Sequence, residues 1–154
     1  MIAGVDEVGR GCLAGPVIAA SVILKRPIKG LMDSKKLSLK KREHLSQVII
    51  ENSIFAIGAA DNKEIDQINI LQASLLAMQR SLEKLDVKPK KVLVDGAHTF
   101  ETPIEIESIA GGDNLIPSIS AASIVAKVYR DKLMMAYSKE FPNYGFDKHK
   151  GYPT

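Results

Sequence analysis

Three carboxylates close two apolar runs. Asp6 and Glu7 follow Ile2-Ala3-Gly4-Val5, and Asp95 follows Val92-Leu93-Val94, each with a glycine nearby, Gly9 and Gly96. Short apolar strands carry their last residues to the sheet rim, where α/β proteins build their sites. If the two runs are parallel neighbours, Asp6 and Asp95 lie side by side, and like charges that close are tolerated only around a shared proton or cation. Hard Mg²⁺ or Mn²⁺ prefers a few carboxylates together with water and phosphate oxygens. Pairs of such ions carry out phosphodiester hydrolysis. Acids also end strands because they favour turns and solvent, and for any one of the three that simpler reading prevails.

The turn after Glu7 has two readings. Gly9-Arg10-Gly11-Cys12-Leu13-Ala14 fits G-x-G-x-x-A after a strand, and Asp33 lies at about the separation of a ribose-binding acid in a dinucleotide fold. Such a loop must open a helix whose N-terminus faces the pyrophosphate. Here Gly15-Pro16 leads instead into Val17–Leu24, rich in β-branched residues, and the dinucleotide reading is rejected. Glycines flanking Arg10 let backbone approach a sugar–phosphate chain, or they make a plain hairpin turn.

Basic residues cluster in two stretches. Lys25, Arg26, Lys29, Lys35, Lys36, Lys40, Lys41 and Arg42 form the first, and Lys127, Arg130, Lys132, Lys139, Lys148 and Lys150 the second. Such clusters can grip phosphates, although a solvated helix face is the commoner cause. His44, His98 and His149 have no partners in the sequence, and His98, just after Asp95-Gly96-Ala97, is the one to watch.

The composition sets the frame for these residues. A chain of 154 residues with 45% hydrophobic and 25% charged residues is globular and expected to form one domain over residues 1–154. One cysteine and three scattered histidines exclude a disulfide framework and a zinc motif. With 5% aromatics and no Trp, a base-stacking platform is improbable. The net charge of +3 permits a nucleic-acid partner without arguing for one. The longest uncharged run, Gly11 to Leu24, is broken by Gly15-Pro16 and falls short of the roughly 20 residues that span a bilayer. No membrane association and a cytoplasmic location are expected.

The elements that must position the site follow from pattern. Strands are expected at Ile2–Val5, Val17–Leu24, Ile54–Ala60, Val92–Val94 and Ile104–Ile109. Ser38 should N-cap a helix reaching about Ile50, and Asp61-x-x-Glu64 has the form of a capping box. Leu71, Leu75, Met78, Leu82 and Leu85 share one helical face, expected to pack on the core. Gly111-Gly112 turns the chain, and Ser118–Phe141 reads as a long helix whose first half is rich in small residues. The whole is expected to be an α/β fold, a mixed sheet with helices against it.

Taken together, these segments resemble ribonuclease HII. Asp6-Glu7-Val8-Gly9-Arg10-Gly11 with Leu13-Ala14-Gly15-Pro16-Val17 is similar to the family's opening motif. So are Asp33-Ser34-Lys35-Lys36-Leu37-Ser38, Asn69-Ile70-Leu71-Gln72-Ala73 and Val94-Asp95-Gly96 to later ones. Gly112-Asp113, the helix from Ser120 to Asp131, and Tyr144-Gly145-Phe146 with His149 to Thr154 complete the series in the family's order.

The resemblance implies a ribonuclease H-like fold and endonucleolytic cleavage of RNA in RNA–DNA hybrids, including single ribonucleotides in duplex DNA, with Mg²⁺ or Mn²⁺, two ions per site. It places the four metal-holding, catalytic acids at Asp6, Glu7, Asp95 and Asp113. Asp131 is the alternative for the fourth; the family's acid precedes the helix, which leaves Asp131 an expected structural ion pair. Gly9, Arg10 and Gly11 would sense the ribose 2′-hydroxyl, with Tyr152 packing on the sugar. Lys35, Lys36, Ser120, Ser123 and Lys127 would lie near the nucleic-acid path. A monomer is expected, acting on a hybrid or a ribonucleotide-containing DNA duplex. Family members continue beyond the Gly-Tyr-Pro-Thr motif, so the C-terminal helical part is expected to be shortened or missing. The alternative on that ground is a weak or inactive hybrid-binding domain.

Overall fold

The computed structural model of the chain describes residues 1–10 and 15–140. Its most buried strand is β2 (Val17–Leu24), whose eight residues are all buried except Leu24. β2 pairs antiparallel with β1 (Ile2–Val8) on one side and β3 (Ser53–Ala60) on the other. Beyond β1 lie β4 (Lys91–Asp95) and β5 (Glu105–Ile109), both parallel to their neighbours, so the sheet order is β3-β2-β1-β4-β5.

Period-two alternation sends β2 side chains to two cores. Val17, Ala19 and Ile23 join Ala3, Val5, Val92 and Val94 beneath α3 (Ile70–Glu83). Ile18, Ala20 and Val22 face α1 (Leu39–Glu51) and α5 (Pro117–Glu140). A strand buried on both faces reads as a continuous apolar run, which is why VIAASVIL shows no alternation. The polar exception, Ser21, shares a 2.7 Å hydrogen bond with Ser81 of α3.

Small residues set the approach of both covering helices. A Cβ on Gly58 of β3 would collide with the backbone of Ala77 and Ser81, and one on Gly4 of β1 with the backbone of Ser118 and Ile119. Ala73 and Ala77 therefore form the deepest contact of α3, while Leu71, Leu75 and Leu85 lie only partly buried at its flanks. The expected core-packing face is present: Met78 and Leu82 are buried in the core and Leu75 and Leu85 pack against it, while Ala77, close to Gly58, lets the helix come near the sheet.

The helical stretch after β3 is also interrupted. Asp61 and Glu64 form the expected capping box at the start of α2 (Asn62–Ile68). The chain then turns at Asn69, with φ 74°, whose Oδ1 accepts from Gln72 N to cap α3. Ser38 caps α1 as expected, accepting from Lys41 N at 3.3 Å. Between β2 and α1 lies a 3₁₀ helix, Leu31–Lys36, and between β5 and α5 the single turn α4 (Gly112–Leu115). No helix among the described residues is long and apolar enough to cross a membrane.

Candidate active site

β1 continues further than its apolar run. Asp6, Glu7 and Val8 still pair with Ala20, Ala19 and Ile18 of β2, whereas pairing with β4 stops at Val5–Val94. The expectation that the strand ends at Val5 is corrected, because β2 supplies hydrogen-bond partners for three more residues. The acids nevertheless sit at the rim on the β4 side. Asp6 stands beside Asp95, one residue beyond the last parallel pair.

Asp6 is 3% exposed, and its Oδ1 accepts from Glu7 N at 2.8 Å. Burial, then the charges of Glu7 and Asp95, hold its carboxyl well above the ordinary carboxylate range. A buried carboxyl beside two others calls for a proton or a cation. Asp95 Oδ1 accepts from Asp113 N at 3.1 Å, which draws the first turn of α4 onto the end of β4. Gly111, in the left-handed region at φ 66°, makes the turn that allows this.

A basic side chain reaches the same place. Lys35 Nζ, from the end of the 3₁₀ helix, lies 2.8 Å from Asp113 Oδ2. Its ammonium pKa is raised, first by that hydrogen bond and also by the charges of Asp113, Asp95 and Asp6. Three aspartates from β1, β4 and α4 thus act on one ammonium. Glu7 follows Asp6 on the strand and faces α3, lining a small cleft of about 120 Å³ with Arg10, Ser74, Asp95 and His98. His98, the histidine singled out in the sequence, therefore shares a cleft with two of the acids. Among the described residues no three His, Cys, Asp or Glu side chains are drawn into a closed ligand cluster. The donor set is nonetheless all carboxylate, surrounds buried negative charge and already attracts one cation, which fits a hard divalent ion.

The remaining expected residues separate. Arg10 is exposed beside the cleft, and Gly9, with φ 99°, is buried. Lys36 is exposed and Ser123 half-buried. Ser120 is 3% exposed and its hydroxyl donates to Leu31 O at 3.1 Å, tying α5 to the 3₁₀ helix rather than facing outward. Lys127 lies 3.5 Å from Asp131 one helical turn on, and this is the ion pair expected of Asp131. Gly11 and Tyr152 fall outside the described residues.

Arg130 needs correction. Grouped in the sequence with phosphate-gripping cations, it is 1% exposed, and its Nε donates to Pro16 O at 3.1 Å. The signal was present: Ile119, Ala122, Ala126, Arg130 and Met134 fall on one helical stripe, and all are buried.

The chain and its fold have close relatives. The ribonuclease HII family model matches residues 3–154. A ribonuclease HII from Coxiella burnetii is 57% identical over 100% of this chain and 78% of its own length. One from Shewanella halifaxensis is 56% identical over 99% of this chain and 76% of its own. Among solved structures, the ribonuclease H2 of Pyrococcus horikoshii superposes with a TM-score of 0.82 at 28% identity, covering 99% of this chain and 81% of that one. The RNase HII of Archaeoglobus fulgidus, solved in complex with PCNA, gives a TM-score of 0.81 at 25% identity over 100% and 81%. By sequence along its whole length and by fold, the chain belongs to the ribonuclease HII family.

Proposed function

We propose that this chain cuts the RNA strand of RNA–DNA hybrids, and single ribonucleotides within duplex DNA, at a site formed by Asp6, Glu7, Asp95 and Asp113. Endoribonuclease activity on hybrids is the family's own; the assignment of the residues is the reading offered here. One observation carries it: Asp6 and Asp95 stand side by side just beyond the last pair of the parallel β1–β4 ladder, and Asp113 N donates to Asp95 Oδ1. The four carboxylates would hold one or two Mg²⁺ or Mn²⁺ ions. Bound there, such ions supply an activated water and stabilise the leaving 3′ oxygen.

The chain's own residues do the rest. Asp6 and Asp95 are fixed by the sheet, so their carboxylates keep their spacing without help from solvent. Asp113 is held by its backbone contact to Asp95, and Lys35 holds its side chain until a stronger cation or a phosphate competes. Arg10 and Lys36 are exposed to meet the sugar–phosphate backbone. Selectivity for RNA rests on the 2′-hydroxyl, a donor and acceptor absent from DNA. On this reading Gly9 and Arg10 are the described residues that would meet it.

The test offers a DNA duplex with one ribonucleotide, with and without EDTA. Cleavage next to the ribonucleotide that requires Mg²⁺ or Mn²⁺ and is lost in Asp95→Asn is the expected result. Cleavage that survives chelation, or persists in Asp95→Asn, overturns the metal-site assignment. Salt-sensitive binding without turnover at any metal concentration would make the chain a hybrid-binding domain instead.

A further inference from the structure

The β1–β2 connection begins at Gly9 and ends at Gly15-Pro16, and both ends rest on one buried side chain. Arg130 Nε donates to Pro16 O at 3.1 Å. A Cβ on Gly9 would stand 2.6 Å from Arg130 Nε, and one on Gly15 would stand 2.9 Å from its Nη2 and 2.7 Å from Met134 Sδ. Gly9 and Gly15 have φ of 99° and 89°, so both combine a glycine-only conformation with contact too close for any side chain. Arg130 is 1% exposed and Met134 fully buried, so neither can move aside into solvent.

The geometry of α5 explains why this residue reaches there. Ile119 lies under Gly4 and Arg130 under Gly9. Eleven residues of helix advance about 16.5 Å, and five residues of strand advance about 16.5 Å as well. Helix and strand therefore run alongside each other in step, and Arg130 arrives where β1 leaves the sheet. A planar guanidinium with donors in a fixed fork suits this place, where a lysine offers a single flexible ammonium.

We propose that Arg130 is a positioning residue for RNA selectivity: it sets the height and angle at which Gly9 and Arg10 meet the ribose. This rests on the reading above that this connection senses the 2′-hydroxyl. In this proposal Arg130 acts through Gly9, Gly15 and Pro16. A duplex with one ribonucleotide offers one 2′-hydroxyl in one register, whereas a continuous hybrid offers many. Loss of placement therefore penalises the first substrate more.

The experiment compares wild type, Arg130→Lys, Gly15→Ala and the double variant. Two readouts are used: kcat/KM on a single-ribonucleotide duplex relative to a continuous hybrid, and hydrogen exchange in residues 5–10 and 15–24 without metal or substrate. The expected result for Arg130→Lys is a tenfold or greater fall in the kcat/KM ratio. Exchange should quicken at residues 5–10 and 15–17 but not in β4 or α3. Gly15→Ala should act in the same direction, with the two substitutions less than additive. Equal losses on both substrates, or exchange quickened evenly through the chain, would reduce Arg130 to a general stability role and overturn the proposal. Unchanged ratio and exchange would overturn it too. Should Arg130→Lys fail to fold, Gly15→Ala alone decides by the same two readouts. If wild type cleaves neither substrate, the ribonuclease reading fails, and the exchange arm still decides whether Arg130 holds the connection.

Discussion

Asp6 and Asp95 stand side by side at the end of the parallel β1–β4 pairing, with Asp6 almost wholly buried. The sheet itself thus enforces a repulsion that isolated side chains would avoid. The folded chain holds Asp6 toward its protonated form through burial first and the charges of Glu7 and Asp95 second. A site built this way is less stable empty than filled.

That relationship fixes the sign of a pH effect. A group whose folded pKa is raised contributes its stability in acid and loses it as pH rises through the raised value. Metal-free Asp6→Asn should therefore melt higher than metal-free wild type at neutral pH, by about 2–4 °C for each 1 kcal/mol relieved. The gap should close as pH is lowered toward 4. Thermal unfolding in EDTA across that range checks it, and a lower melting temperature for Asp6→Asn at neutral pH would contradict it.

Lys35 and a divalent cation compete for Asp113. The ammonium is largely exposed, so its ion pair is worth about 1 kcal/mol or less. Lys35→Met should tighten Mn²⁺ binding by up to about fivefold, measured by calorimetry without substrate. Weaker Mn²⁺ binding would mean that Lys35 supports the ion rather than substitutes for it.

Gly4 is where α5 meets β1. Its replacement by alanine would force Ser118 and Ile119 away from the strand. Overpacking of this kind costs about 1–3 kcal/mol, and here the displaced atoms are backbone. A drop in melting temperature accompanied by loss of cleavage is expected, since α4 and Asp113 precede α5 directly.

Away from the site, Arg80 clasps Glu64 with both terminal nitrogens, at 2.8 and 2.6 Å, and also donates to Ala59 O. The Glu64 pKa is lowered, first by Arg80 and then by the Asp61 backbone amide. A lowered carboxylate pKa gives stability that is present above its unfolded value and lost as pH falls through the folded one. Glu64→Gln should cost about 0.5–1 kcal/mol at neutral pH, after allowance for solvent screening. Chemical denaturation should show that cost fading below about pH 4.

Much of this was legible in the residues. β2 and the caps of α1 and α2 could be read directly, because a β-branched run, a serine before a helical pattern and an Asp-x-x-Glu box are local signals. Side-by-side placement of Asp6 and Asp95 was conditional on parallel pairing of β1 with β4, which no local signal states. The core-packing face of α3 could be read from its apolar spacing, whereas the close approach of Ala77 to Gly58 across the core could not. The tertiary partners of Ser120 and Arg130 were hidden for a related reason. Their polar side chains suggest ligands, yet their partners, Leu31 O and Pro16 O, are carbonyls 89 and 114 residues away in sequence.

The matched advance of α5 and β1 has an engineering consequence. Deleting one residue between Ile119 and Arg130 would turn everything beyond it by about 100°, swinging the guanidinium out from under Gly9 and leaving the acids where they are. Loops elsewhere tolerate length changes that this span would not. On the roles proposed above, the span would act as a gauge block between the cutting edge and the part that chooses what is cut, so length variants within it offer a way to uncouple the two.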